Sequence, residues 1–451
     1  MKLPFWPNPT GYRNIDLGLS RVFDLLGRVG NPHQKLPPTI HIAGTNGKGS
    51  TLAFLRAILE ENGQLVHCYT SPHLVEFNER IVLVGEKISD DFLNECLLAC
   101  KNACEIEPKI TPTYFEAITV AAFLAFSKIK ADFLLLETGM GGRLDATNVI
   151  EKNLCTIITP ISFDHDEFLG DSLAKIAFEK AGIIKKNCPV FVAKQNDDAL
   201  EVIKNQAAKM YSEVKIFGED FDVEILQDCW NFLYDAKVDF GEKNEHQKEQ
   251  IWRKKMTLPL PANLTGTHQI HNAALALNAA ISQNLVFVKE NAIKSALLRA
   301  NWLARLQKIT SGRFFAKIAS GEVFLDGSHN LAGAATVFEF LQSKRESKRI
   351  LIFSMLKDKD CEGFLRKIRS EIDFLIALPI ENEPKSRSSE EIVKIAQSLS
   401  INSVAVGDFD EAFDFVAKLD EGAKSGSSLD KNKLVLVCGS LYLAGNFLEK
   451  N

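Results

Sequence analysis

The sequence predicts an α/β protein of two domains, a P-loop-type domain on a mostly parallel sheet followed by a smaller α/β domain. Three observations carry this. Strand-like apolar runs alternate with longer amphipathic ones, the pattern of parallel strands joined by crossover helices. Those strand-like runs are continuously apolar, as in a sheet covered on both faces. The first of them leads straight into HIAGTNGKGST (41–51), a loop of glycines, a lysine and hydroxyls.

In chain order, the expected strands of the first series are TIHIA (39–43), QLVHCY (64–69), ADFLLLE (131–137), LCTIIT (154–159) and CPVFVA (188–193). Helical periodicity follows at 50–61, 89–104, 113–128 and 172–181. From 213 the character changes: EVKIF, FDVEIL and WNFLYDAKVDF alternate and predict an antiparallel elaboration near 213–260. Within it, GEKNEHQKEQIWRKK (241–255) reads as a solvated charged loop. A helix returns at HNAALALNAAISQ (271–283). After Arg305 a second α/β series begins, with strands EVFLD (322–326), RILIFSM (349–355), DFLIAL (373–378) and KLVLVCGS (433–440). KSGSSLDKNK (424–433) is a surface loop by composition. These patterns put the boundary near 304 and give domains 1–303 and 304–451. A chain of 451 residues also exceeds what one hydrophobic core usually organises.

Composition narrows the function classes. Apolar residues make up 46% and charged residues 25%, an ordinary globular balance. A net charge of −5 offers no general attraction for nucleic acid or an anionic membrane, so neither is expected as a partner. No run approaches a membrane span, and the opening MKLPFWPNPTGYRN lacks an apolar signal core. Nine cysteines, mostly inside apolar segments, favour reduced thiols and a cytoplasmic setting. Cys96, Cys100 and Cys104 share one helix face, where packing explains them better than metal ligation.

Four stretches carry chemistry. In GTNGKGS, a strand feeds backbone N–H groups and a helix N-terminus toward an anion, and Lys48 adds a point charge for outer phosphates. Gly49 stands where an ordinary P-loop has its metal-binding hydroxyl, so the loop alone leaves the metal unexplained. In LLLETGMGGRLDATN (134–148), Glu137 ends a buried strand, the edge of the crevice where α/β proteins bind ligands, and is a candidate magnesium ligand. In TPISFDHDEFLG (159–170), His165 is a metal ligand or a plain loop residue. In FLDGSHN (324–330), Asp326 and His329, together with Arg305, suggest that the second domain helps to close the site. Lys180, in AFEKAGII, reads from pattern alone as a helix-surface lysine.

Eight motifs in order then carry a resemblance: AGTNGKGS, SPHLVEFNERI, TYFEA, LETGMGGRLDATN, DHDEFLGDSLAKIAFEKAGI, HNAALAL, DGSHN and LVLVCGS. The chain resembles the folylpolyglutamate synthases, in particular the bifunctional dihydrofolate synthase/folylpolyglutamate synthases of the Mur ligase superfamily. The resemblance implies a P-loop ATPase domain, a Rossmann-like C-terminal glutamate ligase domain, ATP, two magnesium ions and a typically monomeric enzyme. It implies small-molecule substrates: dihydropteroate, reduced folates and L-glutamate. Thr45, Asn46, Gly47, Lys48, Gly49 and Ser50 would form the ATP phosphate loop, with Asn272, Arg305 and Asp326 as further ATP contacts. Ser71 would join Glu137 at the first magnesium, and His165 would join a carbamylated Lys180 at the second. Lys48, Lys180, His165 and His329 would be the catalytic group. Ile15, Asp16, Leu17, Thr113, Tyr114, Phe115, Leu144, Asp145 and Ala146 match the family's dihydropteroate-binding stretches. The linker departs from the family: the usual proline-glycine-arginine is Leu303-Ala304-Arg305. A monofunctional folylpolyglutamate synthase, a cell-wall Mur ligase and a non-ligase P-loop ATPase are the alternatives.

Overall fold

A computed structural model describes residues 5–7, 17–237, 251–285, 289–318, 321–419 and 432–451. It divides into two compact units, Met1–Ala262 with Thr267–Asn301, and Asn263–Gly266 with Trp302–Asn451.

The first unit holds an eight-stranded sheet: β1 (Thr39–Ala43), β2 (Val66–Tyr69), β3 (Ile81–Leu83), β4 (Glu86–Lys87), β5 (Phe133–Glu137), β6 (Cys155–Ile158), β7 (Val190–Val192) and β8 (Val214–Ile216). Their order is β4-β3-β2-β5-β1-β6-β7-β8. From β2 to β8 every pairing is parallel, and only the β2–β3–β4 edge turns back. β1 is wholly buried between β5 and β6, which is why its run is apolar without alternation. Crossover helices open where short polar side chains cap them. Ser89 caps Asp90–Cys104 and Thr113 caps Tyr114–Lys128, the latter with a reciprocal bond from Glu116.

EVKIF was expected in the antiparallel part but forms β8, which pairs parallel to β7. Helix Asp197–Lys209 carries the chain across the sheet first, and after such a crossover the next strand runs parallel. The antiparallel elaboration is a separate three-stranded sheet of β9 (Phe221–Ile225), β10 (Cys229–Lys237) and β11 (Ile251–Pro259). IWRKK, expected in the charged loop, is the start of β11 and pairs from Ile251↔Lys237 onward. Its period is hidden by charge: Met256 and Leu258 are buried, while Lys255 and Thr257 are exposed. Residues 238–250 of that loop lie outside the described residues.

The second unit is built on β12 (Gln307–Ile309), β13 (Gly321–Leu325), β14 (Lys348–Phe353), β15 (Phe374–Ala377), β16 (Ser403–Ala405) and β17 (Lys433–Cys438). Their order is β12-β13-β17-β14-β15-β16, with β12 antiparallel and the rest parallel. All six residues of β17 are buried at the centre. Of the expected loop 424–433, residues 424–431 lie outside the described residues and Lys433 begins β17.

None of the nine cysteines is paired, and Cys96, Cys100 and Cys104 pack in the core of the first unit. Among the described residues, no helix is long and apolar enough to cross a membrane.

Candidate active site

Two glycines make the loop after β1. Gly44 sits at φ +152°, and a Cβ there would lie 1.8 Å from Thr159 Oγ1. Gly47 sits at φ +87°, and a Cβ there would lie 2.7 Å from Asn272 Oδ1. Both positions therefore demand glycine, for conformation and for space. The helix begins at Lys48, two residues before the sequence pattern placed it, and runs to Glu61. Its N-terminus thus opens directly onto the loop. Thr45 N and Asn46 N donate to Pro160 O, and Thr45 Oγ1 donates to Ser162 O at 3.0 Å. These bonds tie the loop to the segment after β6. Lys48 Nζ donates to Gly44 O and Thr45 O at 3.2 and 3.3 Å and lies 3.8 Å from Glu137 Oε1. Ser50 Oγ and Thr51 Oγ1 are buried without a hydrogen-bond partner among the described residues. Buried hydroxyls of this kind call for a polar ligand.

Glu137 closes β5 with 4% exposure, in register with Ile42 of the neighbouring β1. Ser71 follows β2 on the other side of β5, where Tyr69 registers with Leu136. Parallel pairing therefore brings the serine and the glutamate to the same end of adjacent strands. His165 lies beyond β6, at φ +55° and 45% side-chain exposure, next to Asp164.

Lys180 corrects the sequence reading. It is not a surface lysine: its side chain is buried at 4% exposure, and Nζ donates to Gly44 O at 2.8 Å. Burial first, and the nearby Lys48 ammonium second, lower its pKa to about 7. Its spacing, four residues after Ile176 and three after Ala177, puts it on the apolar face of the helix, but a charged side chain there reads as reaching solvent.

The expected acceptor-binding stretches are partly in view. Ile15 and Asp16 lie outside the described residues, and Leu17 is half-buried. Thr113, Tyr114 and Phe115 open the capped helix, and the Phe115 ring presses on Gly139, where a Cβ would lie 2.4 Å away. Leu144 is half-buried, and Asp145 and Ala146 are buried. The Asp145 carboxylate is engaged internally. Oδ2 accepts from Gly139 N and Met140 N at 2.9 Å each, and Oδ1 accepts from Thr147 N and Thr147 Oγ1.

In the second unit, Asp326 follows β13 and is buried. Oδ2 accepts from Leu306 N and Oδ1 from Ser328 N, each at 2.8 Å. The carboxylate thereby holds the turn around Arg305, whose neighbours Ala304 and Leu306 both have positive φ. Arg305 Nη1 donates to Ala304 O at 2.9 Å. His329 Nδ1 donates to Gly327 O at 2.9 Å.

Two residues escaped the sequence reading. Gln269 accepts from Asn272 Nδ2 at 3.0 Å and keeps a buried Nε2 without a hydrogen-bond partner among the described residues. His41 is fully buried in β1, and its pKa falls to about 3 through burial and then Lys185. A polar residue inside an otherwise apolar strand was the available signal for His41.

These residues fit a nucleotide triphosphate with magnesium. The loop supplies a helix N-terminus, a lysine and unsatisfied hydroxyls. Among the described residues no cluster of three or more His, Cys, Asp or Glu is present. Glu137 and a serine hydroxyl suit an ion that takes its remaining oxygens from phosphate and water. Lys180 as an amine is a donor, and ligates a metal only after gaining an acidic oxygen.

Fold and loop together define a class: the chain belongs to the Mur ligase family. The model of the Mur ligase middle domain matches residues 42–280, and that of the Mur ligase glutamate ligase domain matches residues 312–441. Within that family, the Bacillus subtilis dihydrofolate synthase/folylpolyglutamate synthase is 34% identical over 96% of this chain and 94% of its own length. A solved structure described as E. coli FolC in complex with DHPP and ADP shares 28% identity, with a TM-score of 0.79 over 97% of this chain and 94% of that one. Mycobacterium tuberculosis folylpolyglutamate synthase complexed with ADP shares 26%, with a TM-score of 0.84 over 98% and 96%.

Proposed function

We propose that this chain is an ATP-dependent ligase that joins L-glutamate to dihydropteroate, giving dihydrofolate, and to reduced folates, giving folylpolyglutamates. One observation carries this reading: Lys48 and Lys180 both donate to Gly44 O, and Glu137 Oε1 lies 3.8 Å from Lys48 Nζ. Homologous structures that hold nucleotide, manganese and L-glutamate support it.

A carboxylate resists attack by an amine until it is activated. Here the γ-phosphoryl group of ATP passes to the acceptor carboxylate, forming an acyl phosphate; the amine of glutamate then attacks and phosphate leaves. No protein nucleophile is needed, so the chain's part is positioning and electrostatics. The loop 44–50 and Lys48 hold the phosphates, and Asn272 flanks them. Glu137 and Ser71 would hold one magnesium, and His165 with a carbamylated Lys180 the other. Magnesium, when bound, neutralises charge on the transferred group. The lowered pKa of Lys180 supports carbamylation, since the neutral amine is the form that adds carbon dioxide, releasing a proton. Arg305 and Asp326 are assigned to ATP and His329 to the catalytic group, and Leu17, Thr113–Phe115 and Leu144–Ala146 to the pterin acceptor. The setting is the cytoplasm and the working state a monomer.

The test is phosphate release with dihydropteroate plus glutamate, with tetrahydrofolate plus glutamate, and with neither. Stimulation by both acceptors is expected. Stimulation by the folate alone would leave a monofunctional folylpolyglutamate synthase, and stimulation by neither would overturn the ligase reading.

A further inference from the structure

The loop after Glu137 is secured residue by residue. Thr138 N donates to Ile42 O at 3.0 Å, so β1 holds the first residue beyond the strand. Gly139 N and Met140 N then both go to Asp145 Oδ2. Three consecutive amides are thus spoken for, two of them by one carboxylate. Asp145 is held in turn by Thr147, whose Oγ1 lies 2.5 Å from Oδ1. The same hydroxyl lies 2.8 Å from Nε2 of His41, back on β1.

Proton counting fixes the polarity of this chain. Three backbone N–H groups donate to Asp145, two to Oδ2 and one to Oδ1, and favour the ionised acceptor against the burial that raises its pKa. The Thr147 hydroxyl has one proton, which goes to Asp145, and it must therefore accept from His41. His41 is neutral with its proton on Nε2. Its Nδ1, buried and without a hydrogen-bond partner among the described residues, faces no acceptor that would favour a second proton. The ring's low pKa agrees with this. The relay is therefore a fixed brace.

We propose that His41, Thr147 and Asp145 form a buried positioning relay that fixes the glycine loop 139–147, and through it Glu137, relative to the phosphate loop three residues beyond His41. Asp145 serves the acceptor through the loop it holds. The inference rests on the ligase reading above, in which Glu137 holds a metal.

The test uses the whole protein with Thr147→Val, which keeps the shape and removes the hydroxyl, and Thr147→Ser, which keeps the hydroxyl. Thr147→Val should lower kcat about tenfold, the scale on which outer partners of metal ligands act. Its affinity for ADP should stay within about twofold, and Thr147→Ser should restore kcat. In the ligand-free protein, amide exchange at Gly139 and Met140 should be about tenfold faster in Thr147→Val than in the parent. Unchanged exchange and kcat, or equal losses of kcat, ADP affinity and melting temperature that Thr147→Ser does not rescue, would overturn the relay. If Thr147→Val does not fold, His41→Leu is judged by the same kcat and exchange criteria. Failure of the ligase reading would show instead in the parent protein, as no acceptor-stimulated phosphate release.

Discussion

Glu116 is the joint that ties the start of helix Tyr114–Lys128 to Arg21. Its carboxylate accepts from Arg21 Nη2 at 2.8 Å and Nε at 3.1 Å, and from Thr113 N at 2.6 Å, while Thr113 Oγ1 accepts from Glu116 N. Replacing it by alanine removes two things. The reciprocal helix cap is worth about 1 kcal/mol. Breaking a fully buried ion pair costs about 3–5 kcal/mol, but Arg21 is 28% exposed and water recovers part of its charge. We take about 2 kcal/mol for that loss, near the geometric mean of the buried and exposed cases. Glu116→Ala should therefore destabilise by about 3 kcal/mol, a fall in Tm of roughly 5 °C for a unit of this size. Glu116→Gln keeps an acceptor for Thr113 N and should lose about half as much. Urea unfolding followed by circular dichroism measures both, and the Arg21→Met/Glu116→Ala cycle isolates the pair. Because Thr113–Phe115 begin this helix, KM for dihydropteroate should rise more than KM for ATP. A Glu116→Ala cost below about 0.5 kcal/mol, or strict additivity with Arg21→Met, would refute the reasoning.

Gly47→Ala places a Cβ 2.7 Å from Asn272 Oδ1 at positive φ, and should weaken ADP binding at least about tenfold by titration calorimetry, given about 1–2 kcal/mol of backbone strain alone. For Lys180, the folded pKa lies below the unfolded one, so the unfolded chain binds an extra proton between the ordinary lysine range and about 7. The parent should lose stability relative to Lys180→Met as pH falls through that window and level off below it. Urea midpoints of both proteins in carbonate-free buffer check this, and parallel curves would count against a depressed pKa. Asp326→Asn keeps one acceptor oxygen but turns an amide toward Leu306 N or Ser328 N; a loss of about 2 kcal/mol is expected in unfolding of the second unit.

Much of the fold was legible because sheets buried on both faces write themselves as unbroken apolar runs, and every such run from TIHIA to KLVLVCGS is a strand. Failures fell where strands are too short or too charged to carry a period. EVKIF contributes three paired residues, IWRKK carries two adjacent exposed lysines, and β12 and β16 have three residues each. In the site, glycines and strand-end carboxylates were legible because backbone geometry restricts them. Lys180 was not, since burial of a helical side chain depends on what packs over it. His41 was visible as an anomaly in β1, but its partner Thr147 lies 106 positions away and only the fold joins them.

Gly44 against Thr159 and Gly47 against Asn272 form two wedges in the loop after β1. Each wedge couples a position in the loop to one far along the chain. At both positions the positive φ strains any side chain, so shrinking Thr159 or clearing Asn272 relieves part of the crowding and still leaves glycine required. A directed-evolution library over residues 44–48 should return glycine at 44 and 47, and one that also varies Thr159 and Asn272 should return both glycines as well.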